Sequence, residues 1–185
     1  MSRIPTPASI DDAPEAARAL LNNVKAGLGS VPNMFRLVAN SPAGLEGFLG
    51  LNSALGKGDL EPAIRERIAL ALANVNGCDY CNAAHTYLGK NVAKLSDDEI
   101  TLARQGRSGD AKADIAVAFA RKVAVERANV SEADVDAVRK AGFSDAELVE
   151  IVLHVALNTL TNYVNEVFGT EVDFPAVPTA DRIAA

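Results

Sequence analysis

From residue 11 to residue 170 the apolar positions of this chain recur in steps of three and four. That is the period of an α-helix, and a strand's alternation is almost absent. The punctuation agrees. Asp12 stands before Ala13-Pro14, and proline suits a helix start; the helix it opens is expected to reach about Lys25 and to end at Gly27 and Gly29. Pro32 opens a short helix with Phe35 and Leu37. Ser41-Pro42 opens another, with Leu45, Phe48, Leu49 and Leu51 on its apolar side. Glu61-Pro62 starts a longer one whose stripe is Ile64, Ile68, Leu70, Ala71 and Leu72; it is expected to run to Asn74, with Gly77 breaking or bending it. Ser96-Asp97-Asp98-Glu99 and Ser144-Asp145-Ala146-Glu147 have the form of capping boxes, and Ser131 reads as a third N-cap. An Ala/Val-rich helix follows from about Ala111 to Arg127, and the longest runs from about Asp145 to Phe168. These elements predict an all-α, single-domain helical bundle over residues 11–170. An extended Pro/Ser/Thr-rich segment (1–10) precedes it and an irregular, proline-bearing tail (171–185) follows. One echo runs through the pattern. Glu66 and Asn74 stand eight apart, as do Glu150 and Asn158, and the second set carries Asn162 and Asn165 at the offsets where the first carries Cys78 and Cys81. It hints at a duplicated helical hairpin, although helical spacing alone often produces such matches.

Composition narrows the picture. With 185 residues, 49% of them hydrophobic and only 5% aromatic, the chain can fill one aliphatic core without tryptophan. A net charge of −6 provides no basic patch, which argues against nucleic acid or an anionic membrane surface as partner. No apolar run is long enough to span a bilayer, and the first residues lack the apolar centre of a signal peptide. The expected compartment is the cytoplasm. There a close cysteine pair is more often catalytic, redox-sensing or metal-binding than a permanent staple.

Both cysteines and one of the two histidines fall in a single stretch, NGCDYCNAAH (76–85). Three readings compete: a redox thiol pair, half of a metal site, or two small buried hydrophobes. On a helix, Cys78 to Cys81 is an i,i+3 step and Cys81 to His85 an i,i+4 step, so all three share one face. Asn76-Gly77 makes a helix entry. Cys78 then sits in the first turn, where free N–H groups and the dipole favour a thiolate. His85, one turn from Cys81, can take its proton, which assigns Cys81 as the attacking thiol and Cys78 as the resolving one. The chemistry available is attack on a peroxide, sulfenic acid at Cys81, condensation to a disulfide, and reopening by a reductant, with no cofactor or metal required. Glu66, on the preceding helix, is a candidate to orient His85. Tyr80 is a candidate hydrogen-bond donor.

The combination Glu66 and, twelve positions on, Cys78-x-Tyr80-Cys81-x-x-x-His85 resembles the signature of AhpD-like alkylhydroperoxidases in the carboxymuconolactone decarboxylase superfamily. GSVPNMFRLVANSP (29–42) and LNTLTNYVNEVFGTEVDFP near the end resemble its peroxidase-related branch, and the likeness spans roughly residues 28 to 175. It implies an all-helical fold, homo-oligomers such as trimers or hexamers, and reduction of hydroperoxides by the cysteine pair. A dithiol, either a small molecule or a lipoyl- or thioredoxin-like protein, would serve as reductant. It implies Cys81 as peroxidatic thiol, Cys78 as its partner, and His85 with Glu66 as proton relay. One departure stands out: better-known members carry histidine where this chain has Tyr80, and a tyrosine titrates far above neutrality. Decarboxylase members do not rely on such a cysteine pair.

The plainer readings remain alternatives. Cys78, Cys81 and His85 supply three metal ligands, with only His154 or a carboxylate to add. A thioredoxin-type oxidoreductase belongs with a βαβ pattern, absent here. A dithiol–disulfide oxidoreductase acting on a protein partner, or a non-enzymatic redox or metal-binding sensor, competes with the peroxidase. His154, between Leu153 and Val155, reads as a hydrogen-bonded core histidine. Gly106-x-x-Gly109 lacks the lysine and spacing of a phosphate cradle.

Overall fold

A computed structural model describes residues 2–177, and among these it contains nine helices and no strand. In chain order they are α1 (Glu15–Leu28), α2 (Asn33–Val38), α3 (Pro42–Leu55), α4 (Pro62–Val75), α5 (Asp79–Asn91), α6 (Asp97–Arg104), α7 (Ala111–Val125), α8 (Glu132–Lys140) and α9 (Asp145–Phe168). The all-helical fold is the one the periodicity predicts.

The bundle is organised around α4, which packs against α5, α6, α7 and α9. Its sequence explains the position. Ile64, Ile68 and every residue from Ala69 to Ala73 are buried, so the stripe widens until the helix is apolar on nearly all sides. Ala69, Ala71 and Ala73 let neighbouring backbones come close. On one side Ile68 and Leu72 meet Val117, Phe119 and Ala120 of α7 and Ile151 and Val155 of α9. On another, Ala73 joins Met34, Phe48, Leu55, Leu157, Tyr80 and both cysteines in a separate apolar cluster. The helices α1, α2 and α3 close that end of the bundle around Leu21, Ala39 and Leu45.

Several boundaries differ from expectation. Gly27 does not stop α1, because a single glycine costs a helix only about 1 kcal/mol relative to alanine. The stop is Gly29, at φ +77°, whose N–H closes on the Lys25 carbonyl. α7 ends at Val125, two residues early, because Arg127 and Ala128 turn to positive φ. Ser131 and Ser144 head complete capping boxes with Asp134 and Glu147. At Ser96 only half of the box forms. Ser96 Oγ accepts from the Glu99 N–H, but the Glu99 carboxylate accepts from Arg67 of α4, Ser108 and Gly109. A charged partner on another helix is the stronger attraction.

Residues 2–14 contain no helix. Arg3 lies across the end of α9, its guanidinium donating to the Glu166 and Val167 carbonyls and its N–H to Phe168, a cation where helix carbonyls are unpaired. The tail from Glu171 is non-helical as far as residue 177, and the rest of the irregular tail expected to 185 lies outside the described residues. No described helix is long and apolar enough to cross a membrane.

Candidate active site

The site begins at the corner between α4 and α5. Gly77 takes φ +67°, a left-handed conformation cheap only for glycine, and this turns the chain out of α4. Cys78 follows in extended geometry as the N-cap of α5, and its sulfur accepts the Cys81 N–H at 3.2 Å. The capping role of a cysteine was not foreseen. It fixes the two residues with Cα atoms 5.3 Å apart and their sulfurs at disulfide distance. Both are buried, but they differ in outlook. Cys81 lines a cavity of about 660 Å³, whereas Cys78 is enclosed by the apolar cluster and does not reach that cavity.

His85 lies one turn beyond Cys81 and lines the same cavity. Its Nδ1 is 2.9 Å from Glu66 Oε2, both side chains being about one-fifth exposed (21% each). Glu66 is therefore brought to His85 from α4, and the second ring nitrogen, Nε2, is left for other work. The cavity walls are otherwise largely apolar: Met34, Phe35, Phe48, Leu88, Leu157 and Phe174 contribute, with no lysine or arginine among the lining residues.

Tyr80 also lines the cavity, yet its hydroxyl is committed. It donates to Asp173 Oδ1 at 2.9 Å and accepts the Met34 N–H at 3.2 Å. Burial, with the negative charge of Asp173 beside it, raises its pKa further above the ordinary tyrosine value. The ring meets Phe174 edge-on, centroids 5.7 Å apart. Tyr80 thus ties the start of α2 and the C-terminal segment over the cavity. Asp173 tightens the same strap by accepting the Asn33 N–H.

The residues that sequence reasoning missed lie on α9. Asn158, Thr161 and Asn165, at helical spacing, all face the cavity, and the amide of Asn165 donates to Cys81 Sγ at 3.3 Å. Next to it the Asn76 amide donates to Asn162 Oδ1 at 2.8 Å. The available signal was the 84-residue echo. Asn165 is the counterpart of Cys81 and contacts it directly. Glu150, the counterpart of Glu66, instead accepts the Asp59 and Leu60 N–H groups ahead of α4.

His154 is a core residue at 6% exposure, but its Nε2 has no hydrogen-bond partner in the protein, contrary to the expected bonded core histidine. Burial, and then the positive charge of Arg65, push its pKa down to about 4, so it is neutral at physiological pH. Among the described residues no group of three or more His, Cys, Asp or Glu is arranged to share a metal ion. The alternative metal reading, with Cys78, Cys81 and His85 as ligands, finds no such group there.

Residues 42–126 match the carboxymuconolactone decarboxylase family. No curated protein matches the chain. Among solved structures, the chain is similar to the alkylhydroperoxidase AhpD core of an uncharacterized peroxidase-related protein from Ralstonia eutropha JMP134. The two share 27% identity and a TM-score of 0.83, over 93% of this chain and 92% of that one. A peroxidase-related protein from Silicibacter sp. TM1040 shares the fold at 22% identity and a TM-score of 0.80, over 98% and 95% of the two chains. So does a variant of the debrominase Bmp8 in complex with 2,3,4-tribromopyrrole, at 19% identity and a TM-score of 0.76, over 94% of each chain.

Proposed function

We propose that this chain, whose residues 42–126 match the carboxymuconolactone decarboxylase family and whose fold is similar to that of an AhpD core, is a thiol-dependent peroxidase that reduces organic hydroperoxides. One observation carries the reading: of two sulfurs at disulfide distance, one opens on a largely apolar cavity that also holds a carboxylate-paired histidine. In this reading the Cys81 thiol gives its proton to His85 Nε2, while Glu66 on Nδ1 holds the ring and stabilises the imidazolium. The Cys81 thiolate attacks the terminal oxygen of R–O–O–H. The S–O bond forms as the O–O bond breaks, sulfur loses two electrons, and the departing R–O⁻ takes the proton back from His85 to leave as R–OH. The Cys78 thiol then displaces water from the Cys81 sulfenic acid and closes the disulfide. A dithiol reductant, small or borne on a lipoyl- or thioredoxin-like protein, reopens it by exchange. Tyr80 acts by holding the strap. The protein's role is antioxidant, in a reducing compartment such as the cytoplasm.

Cys81 is only 3% exposed and opens on the cavity, so a small oxidant reaches its sulfur through that cavity. The walls of the cavity favour an apolar R group.

We also infer that the protein is a homo-oligomer joined through α9. The outer positions Val149, Leu153, Ala156, Leu160, Tyr163 and Val167 are exposed and carry no charge. They follow alternating steps of four and three, the spacing that seats one helix against an identical one. Leu160→Glu should lower the sedimentation coefficient to that of a single chain; an unchanged coefficient would exclude this face.

The activity is tested by rapid mixing of reduced protein with cumene hydroperoxide while free thiols and sulfenate are followed. Loss of two thiols per chain, far faster than for free cysteine, is the expected result. Thiols that persist at the rate of free cysteine would reject the peroxidase.

A further inference from the structure

We propose that Asn165 is a further catalytic residue, resting on the peroxidase reading. Its side-chain amide binds the Cys81 sulfur through Nδ2 and the terminal O–H of the hydroperoxide through Oδ1. Two observations carry this. The Nδ2 group donates to Cys81 Sγ at 3.3 Å. Asn165 is only 2% exposed, and its Oδ1 has no hydrogen-bond partner in the protein although the residue lines the cavity. A buried amide oxygen left without a partner is disfavoured, and folded chains rarely keep one without a use. The helix around it does not impose the arrangement. Asn158 and Thr161, on the same face, satisfy their donors on α9 itself, Asn158 on the His154 carbonyl and Thr161 on the Asn158 carbonyl. Asn165 alone among them reaches across to α5.

The chemistry suits both ends of the amide. An N–H donor stabilises a thiolate more than a thiol, so it favours the attacking form of Cys81. The terminal oxygen of a hydroperoxide carries the only O–H of that group, and a carbonyl oxygen accepts it. One planar group then holds the nucleophile by its donor and the electrophilic oxygen by its acceptor, in the near-attack arrangement that accelerates displacement. As O–O cleavage transfers that oxygen to sulfur, the O–H stays on it, and the same two hydrogen bonds hold the Cys81 sulfenic acid until Cys78 attacks. The proton of the leaving alkoxide still comes from His85. Other titratable groups around Cys81 are Cys78 on its own helix, Tyr80, Asp173 in the strap, and the Glu66–His85 pair.

The test compares the native side chain with N165L, close in volume but without either function, and with N165S, too short to reach the sulfur. Both are made in the Cys78→Ser background, so that one thiol is read. Alkylation of reduced Cys81 by iodoacetamide against pH gives its pKa; oxidation by cumene hydroperoxide is timed above that pKa, where every thiol is ionised. The expected result is a Cys81 pKa about one unit higher in both variants. In addition, the oxidation rate should fall about 100-fold even when thiolate is saturating, the scale of losing one placed hydrogen-bonding group. Equal oxidation rates at saturating thiolate, with the Asn165 parent faster than free cysteine, would overturn the proposal and leave the peroxidase intact. A parent no faster than free cysteine would reject the peroxidase and with it the peroxide contact, while the alkylation profile still decides whether Asn165 holds the sulfur. If N165L fails to fold, as circular dichroism would show, N165S alone decides.

Discussion

The α4–α5 corner and helix α9 carry related spacings and do different things. In the first, Glu66, Asn74, Cys78 and Cys81 span two helices; in the second, Glu150, Asn158, Asn162 and Asn165 lie on one unbroken helix of 24 residues. The difference turns on one position. Gly77 breaks the helix at φ +67°, while its counterpart Thr161 continues it and returns its hydroxyl to the Leu157 and Asn158 carbonyls. A broken helix frees the N–H groups of a new N-terminus, and a sulfur caps them. An unbroken helix has no free N–H groups there, so its polar side chains point sideways, and Asn162 and Asn165 reach the corner instead. A helix end can activate a nucleophile; a helix side can hold it in place.

This division can be broken from either side. Cys81→Ser should reduce peroxide consumption to background, a loss on the order of 10³-fold or more. Cys78→Ser should leave the first oxidation and trap sulfenate, which a dimedone adduct would reveal; comparable first-step loss in both variants would dissolve the assigned roles. His85→Ala should slow Cys81 oxidation near neutral pH by about 100-fold, the lower range for a positioned acid–base group. Stopped-flow rates against pH check this.

Smaller effects concern stability. Gly77→Thr forces a β-branched residue into the left-handed region at a cost of about 2 kcal/mol. The reciprocal Thr161→Gly should cost about 1 kcal/mol, from glycine in a helix interior. Urea midpoints of the two variants would compare the break with the continuation. An equal cost for both would mean that the corner is set by packing around it rather than by Gly77. His154 gives a separate pH dependence. Its folded pKa of about 4 lies below the ordinary histidine value, so between these values the unfolded chain holds the extra proton. Stability must therefore fall as pH drops from about 6.5 toward 4, by up to about 1.4 kcal/mol per unit. In His154→Leu the urea midpoint should lose this part of its pH slope.

The helices were legible because period and caps are local. The extents of α3, α4 and α9 follow from Pro42, Pro62 and Ser144, and from the stripes behind them. The pairing of Glu66 with His85 was readable only through family spacing, since nothing local selects one glutamate among many. Glu99 was misread because its partners, Arg67 and Ser108, sit on other elements.

The sequence by itself determined an aliphatic all-helical bundle, the glycine that breaks it at residue 77, and two cysteines held one turn apart with a histidine on their face. Those properties depend on backbone geometry and on residues within a few positions of one another. Tertiary structure decided which sulfur meets the cavity, that Tyr80 is bound to Met34 and Asp173, and that Asn165 rests on Cys81. Each of these joins groups dozens of residues apart. Such contacts depend on how helices cross and which faces they bury, and no period along the chain encodes that.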